Sequence, residues 1–293
     1  MEVLSLIDEI KKEYINNRMV FIPGDTVQDI LLALGANPDD LLKLKNVSEH
    51  LLSDPTLPFR KTKTGRFCFD FENTKIERIE FQPFVLSVEE GFVRHDSGKN
   101  RNFRGIGDDL QLNTAFQALL KLNAYLIHEV AVAPRAKLNQ GSNKSLCTAF
   151  NIRTVTTPTM LGEPTLEGVH SDGVDHTMTT FIGSNNMTSD SAKTFVHDIK
   201  QKNGLKYAEI DKSLVQQEAQ HKLFLDTLLF ADHEVKHSLT PVFAQDKTKE
   251  STRDMLIFLT RKPVENGHVA FKYDSFIPHV EMPLTIDMIA RTS

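Results

Sequence analysis

Apolar residues recur at helical spacing from the start of the chain. Val3, Leu4, Ile7, Ile10 and Tyr14 share one face, which predicts an amphipathic helix. "TVQDILLALG" and "NPDDLLKLKNVSEHLL" repeat the pattern and predict two more. From Phe67 the period shortens, and "FCFDF" and "IERIEFQPFVLSV" alternate as half-buried strands do. The polar run "RHDSGKNRNFRGIGDD" predicts an exposed loop, and "LQLNTAFQALLKLNAYLIHEVAV" a long apolar helix that backs a sheet. After a second loop, "PRAKLNQGSNKS", strand-like segments follow one another: "LCTAFNIRTVTT", "HTMTTFIGS", "AKTFVHDI", "KYAEI", "TLLFADHEV" and "RDMLIFLTRK". With no long helix between them, they favour a double-sheet β roll over an alternating α/β fold.

Composition narrows the function. A net charge of -5, with no dense Lys/Arg cluster interleaved with aromatics, argues against a nucleic-acid partner. Cys68 and Cys147 are too few and too far apart for a disulfide scaffold or a cysteine-zinc site, so a reducing, cytoplasmic setting is expected. Charges interrupt the apolar pattern of "MEVLSLIDEIKKEYINNR", unlike a signal peptide, and no window approaches a membrane span. The 293 residues are expected to form a single domain, 1–293. Within it, 1–100 is a helical and β N-terminal portion, and 101–293 a helix followed by the catalytic core. The nineteen phenylalanines are mainly core residues, with Phe181 and Phe258 expected inside the roll.

Candidate chemistry concentrates in "EGVHSDGVDH". Residues two apart converge on a strand but diverge by about 200° on a helix, so His170 and Asp172 meet if this segment is a strand with a terminal turn. Gly168 and Gly173 are poor helix formers, which favours that reading. One more histidine would complete a two-histidine, one-carboxylate face with iron positions left open. His237 is the candidate, but it also closes His233-Glu234-Val235-Lys236-His237, a match to the H-E-x-x-H zinc-peptidase pattern. That alternative requires a helix, whereas the flanking segments look like strands and Pro241 follows closely. A non-catalytic β-roll binding protein is the third reading.

"EGVHSDGVDH", "HSLTPV" and "RDMLIFLT" together resemble the Fe(II)/2-oxoglutarate dioxygenases of bacteria and fungi that act on free amino acids, the isoleucine 4-hydroxylase family. The resemblance covers roughly the C-terminal half. It departs at "NNMTSDSAKTF", where Ser189 and Asp190 stand in place of a Gly-Gly pair. It implies an α+β fold whose core is a double-stranded β-helix (jelly-roll, cupin-like) with N-terminal and flanking helices. It also implies His170, Asp172 and His237 as catalytic Fe(II) ligands, with 2-oxoglutarate and O2 as cosubstrates. Arg253 suits the far carboxylate of 2-oxoglutarate, because its planar fork pairs two oxygens and stays charged. For the amino-acid substrate, Arg153 and Glu167 are the expected carboxylate and ammonium partners, with Asp175 a weaker alternative. His176 is a candidate to support the ligands from behind. Hydroxylation is the expected outcome, with desaturation or ring closure such as aziridine formation in specialised relatives. The N-terminal helices are expected to form a lid or a homodimer surface.

Overall fold

The computed structural model describes residues 2–80 and 82–288. In chain order the elements are α1 (Glu2–Asn17), β1 (Met19–Ile22), α2 (Gly24–Ala33), α3 (Pro38–Leu44), β2 (Leu52–Ser53), β3 (Arg60–Asp70) and β4 (Lys75–Ile79). They continue with α4 (Asp108–Gln111), α5 (Thr114–Ile127), β5 (Lys144–Thr156), β6 (His176–Asn185), β7 (Thr194–Asp198) and β8 (Val215–Ala219). The last are β9 (Thr227–Phe230), β10 (Val235–Leu239), β11 (Ser251–Arg261) and β12 (Thr285–Asp287).

The large antiparallel sheet runs β1-β9-β6-β11-β5-β3-β4-β12, with β2 on β3, and a smaller sheet runs β10-β7-β8. This is the expected double-stranded β-helix. The long strands β3, β5 and β11 form its middle, so residues before position 100 are part of the main sheet.

Strand alternation sorts the two faces. On β5 and β11, Cys147, Ala149, Leu256 and Phe258 pack with α5 in the main core. Phe150, Ile152 and Thr154 on β5, and Arg253, Met255, Ile257 and Leu259 on β11, turn the other way and line a cavity between the sheets. Phe181 and Phe258 are both buried.

The structure revises several sequence expectations. The single long helix is two, because Asn113 caps α5 with its side chain, accepting the N–H groups of Ala115 and Phe116. That helix stops at Ile127, and Glu129 beyond it adopts a positive φ of 57°. "KYAEI" is a turn rather than a strand, and the strand from Lys75 ends at Ile79. The expected exposed loop dips inward, since Arg94 and Asp96 have nearly inaccessible side chains and Arg101 and Phe103 are buried.

Candidate active site

The segment around His170 is not a regular strand. His170 forms a single antiparallel bridge with His237 on β10, each backbone N–H donating to the other's carbonyl at 3.0 Å. Gly168 and Gly173 bracket the turn at φ 75° and 74°, and a Cβ at Gly168 would lie 2.4 Å from the Leu205 carbonyl oxygen. His170 and Asp172 therefore converge through a glycine-framed bend, with the rings of His170 and His237 4.2 Å apart.

His170, Asp172 and His237 each present a ligand atom, all within 4.8 Å of one another. His170 Nε2 lies 3.4 Å from Asp172 Oδ1, and His237 Nε2 lies 3.7 Å from Asp172 Oδ2. Two imidazoles and one carboxylate on one face fit Fe(II) with positions left open. The Nδ1 of His170 bonds the Gly168 carbonyl at 2.8 Å, which puts the proton there and frees Nε2 for a metal. Burial disfavours a charged His170, but Glu167 and Asp172 outweigh it and raise its pKa to about 9. Burial likewise opposes ionisation of Asp172, yet His237 and His170 hold it down at about 2. Burial, then the charge on His170, lowers His237 to about 3.

Arg253 has a fully buried side chain whose Nε makes no hydrogen bond. Burial lowers it to about 10, so it stays cationic near neutrality. It opens into the same cavity as the metal set, together with Thr179 and His221. Here β6 carries an extra residue against β11, a bulge that re-aims neighbouring side chains.

The structure divides the two expected substrate residues. Glu167 lines the cavity, with Oε1 3.3 Å from His170 Nε2 and Oε2 without a hydrogen bond. Arg153 is a correction: it points to the opposite face of β5 and makes two 2.7 Å bonds to Asp254. Strand parity is the cause, since Ile152 and Thr154 on either side face the cavity. Asp175 is also committed elsewhere, accepting the Lys262 N–H at 2.7 Å. His176 bonds Tyr14 at 2.7 Å and supports no metal ligand.

Sequence reasoning missed Arg60, Arg94, Arg101, His221 and Asp232. Arg101 lies between the rings of Phe84 and Phe92, 4.9 Å from each centroid, and its buried Nε and Nη2 make no hydrogen bond. Arg94 pairs with Asp96 through two bonds, and its Nη1 lies 3.8 Å from Glu167. The detectable signal was Phe92 and Phe103 flanking a polar run, because aromatics at both ends tie such a loop to a core. Asp232 is fully buried, and burial with the neighbouring Asp172 charge raises its carboxyl to about 7.

The zinc-peptidase alternative fails on geometry. His233 and Glu234 lie in a turn and His237 on a strand. Glu234 is paired with Arg18, and His233 Nδ1 is 3.1 Å from Arg135. Among the described residues no metal cluster includes His233.

A family model described as 2OG-Fe dioxygenase matches residues 45–259. This chain belongs to that family. The 2OG-Fe dioxygenases are enzymes that use Fe(II), 2-oxoglutarate and O2, and the triad and the free Arg253 suit that set. The chain is 49% identical over 280 residues to the bifunctional enzyme flvA of Aspergillus flavus, covering 96% of this chain and 34% of that protein. It thus spans about a third of that relative's length. The solved structure of the Fe(II)/α-ketoglutarate-dependent dioxygenase TqaL is 47% identical, with a TM-score of 0.85 over 98% of this chain and 96% of that one. IDO from Bacillus thuringiensis shares the fold at 17% identity, TM-score 0.66, over 87% and 99% of the two chains. Among the described residues no helix is long and apolar enough to cross a membrane.

His176 and His221 give this dioxygenase a pH-dependent stability. Burial lowers both to about 3, against about 6.5 in an unfolded chain. Below about pH 6.5 the unfolded state binds protons that the folded state refuses, so stability present at neutral pH is lost on acidification. Each group contributes about 1.4 kcal/mol per pH unit, so the pair should remove roughly 3–4 kcal/mol between about pH 7 and pH 5. Urea unfolding of wild type and His176→Gln at the two pH values isolates one share: the variant should lose roughly 2 kcal/mol less than wild type.

Proposed function

We propose that the chain catalyses Fe(II)- and 2-oxoglutarate-dependent oxidation of a free, aliphatic L-amino acid. The observation that carries this reading is the presence, in one cavity, of Arg101 nitrogens and a Glu167 oxygen that are buried and make no hydrogen bond. A zwitterion supplies the complement, its carboxylate to Arg101 and its ammonium to Glu167. Phe84, Phe103, Phe150 and Ile152 line the same cavity and suit an apolar side chain.

Charge counting supports the choice. Arg60, Arg94 and Arg101 are matched by Asp54, Asp96 and Glu167, so this part of the cavity is formally neutral and favours a neutral zwitterion. At the other part Arg253 exceeds the local protein anions once Asp172 is committed to metal, which suits the extra carboxylate of 2-oxoglutarate.

In this reading His170, Asp172 and His237 hold Fe(II), which when bound couples decarboxylation of 2-oxoglutarate to attack on an unactivated C–H bond. Arg253 binds and orients the cosubstrate. Arg101 and Glu167 fix the backbone of the amino acid, and the phenylalanines exclude water and set which carbon is presented. The outcome is hydroxylation, or oxidative ring closure such as aziridine formation.

The test is succinate production by Fe(II)-loaded protein with a panel of aliphatic L-amino acids and their N-acetyl and methyl-ester derivatives. Free amino acids should stimulate turnover and both blocked forms should not; equal turnover with the blocked forms would refute the zwitterion reading. Mass spectrometry of the product separates gain of one oxygen from loss of two hydrogens. In Arg101→Met the KM for the amino acid should rise roughly 10- to 100-fold, the effect of one lost charge-assisted hydrogen bond, with the KM for 2-oxoglutarate unchanged.

A further inference from the structure

Asp232 lies in the turn before β10, away from the cavity lining, yet it reaches both segments that supply the metal ligands. Its Oδ1 accepts the Asp172 backbone N–H at 2.8 Å, and its Oδ2 lies 3.4 Å from the Val174 N–H. Its own carbonyl accepts the Ser171 hydroxyl at 3.2 Å. The carboxylate and carbonyl together grip the bend that carries Asp172.

The same Oδ1 lies 4.0 Å from His237 Nδ1, a buried nitrogen with no hydrogen-bond partner. The two ligand histidines therefore differ. His170 has its Nδ1 committed to the Gly168 carbonyl, whereas His237 has nothing within bonding distance to fix its tautomer. The His237 ring is confined between His170 and Phe230, whose centroids lie 4.2 and 4.9 Å away. A metal takes the unprotonated nitrogen of an imidazole. With Nε2 turned toward Asp172, the proton of His237 belongs on Nδ1, where a buried N–H needs an acceptor. The carboxylate oxygen that faces it is Asp232 Oδ1, 4.0 Å away.

We propose that Asp232 is a positioning residue of the metal centre. It holds the Asp172 bend through the backbone and fixes His237 with its proton on Nδ1, so one buried carboxylate aligns two ligands from separate segments. An anionic acceptor behind an imidazole also makes it a better donor to the metal. The proposal rests on the triad being a metal site, and the test separates the two ideas.

Metal-free wild type, Asp232→Asn and Asp232→Ala are titrated with Co(II) alone and followed by visible absorption, with thermal unfolding of each metal-free protein alongside. Asp232→Asn keeps the size and one acceptor oxygen but removes the charge. It should unfold close to wild type while binding Co(II) about 10- to 100-fold more weakly, with an altered visible spectrum. Wild-type affinity and spectrum in a folded Asp232→Asn would overturn the role of Asp232 alone. Absence of Co(II) binding in wild type would overturn the metal centre itself, and this proposal with it. A second measurement needs no variant: in Zn(II)-loaded wild type, His237 should show a slowly exchanging, downfield Nδ1 proton by NMR. A rapidly exchanging proton there would refute the hydrogen bond to Asp232.

Discussion

Asp172→Ala should bind Fe(II) more than about 100-fold more weakly than wild type, beyond the upper end of what outer partners of metal ligands contribute. Asp172 is the carboxylate of the triad, facing His170 at 3.4 Å and His237 at 3.7 Å. Without it the triad keeps two imidazoles and loses its carboxylate, a donor set that no longer matches hard Fe(II). An anaerobic titration with Fe(II) and then 2-oxoglutarate tests this through the weak visible charge-transfer band of a chelated keto acid. The band should form in wild type and be absent in the variant at the same concentrations. Wild-type band intensity in Asp172→Ala would remove Asp172 from the ligand set.

Arg253→Ala should weaken 2-oxoglutarate binding roughly 30- to 5,000-fold while leaving Fe(II) affinity unchanged. Arg253 is buried and makes no ion pair among the described residues, so a cosubstrate carboxylate there would have no substitute partner. Truncating one partner of a buried charge pair costs about 2–5 kcal/mol, which sets the expected range. Arg253→Lys should recover only part of the loss, because a point charge replaces a planar two-toothed fork. Titrating 2-oxoglutarate into Fe(II)-loaded protein gives both numbers. Unchanged affinity in Arg253→Ala would show that the far carboxylate binds elsewhere.

Arg253 and Arg153 were both expected at the site, and only Arg253 faces the cavity. The pattern of strands was legible because alternation is a local property, and the roll followed from their succession. The positions that form the triad were legible because their residue types are unusual and their spacing short. Parity was not. Arg153 stands opposite Asp254 across β5 and β11, one position out of step with the cavity, and only the pairing register decides that. Arg94 and Arg101 escaped for another reason. Their segment reads as solvent-exposed because it is polar, but its charges pair with one another inside the protein, Arg94 and Arg101 both against Asp96. Asp232 was hidden by the neighbouring "HEVKH", where a peptidase pattern drew attention to Glu234 rather than to the aspartate that lies against His237.

The cavity draws its walls from two stretches of chain. Arg60, Phe84, Phe92, Arg94, Arg101 and Phe103 come from positions 60–103, whereas the triad, Arg253 and their neighbours come from positions 164 onward, with Phe150, Ile152 and Thr154 of β5 between them. In the proposed function, substrate recognition and oxidation therefore draw on largely separate positions, apart from Glu167 and the strands that join them. On that proposal, a new substrate preference would arise by replacing side chains between positions 60 and 103 while the metal site is inherited intact. Chimeras that exchange this stretch between relatives become a direct route to enzymes of altered selectivity, and a test of how independently the two halves can evolve.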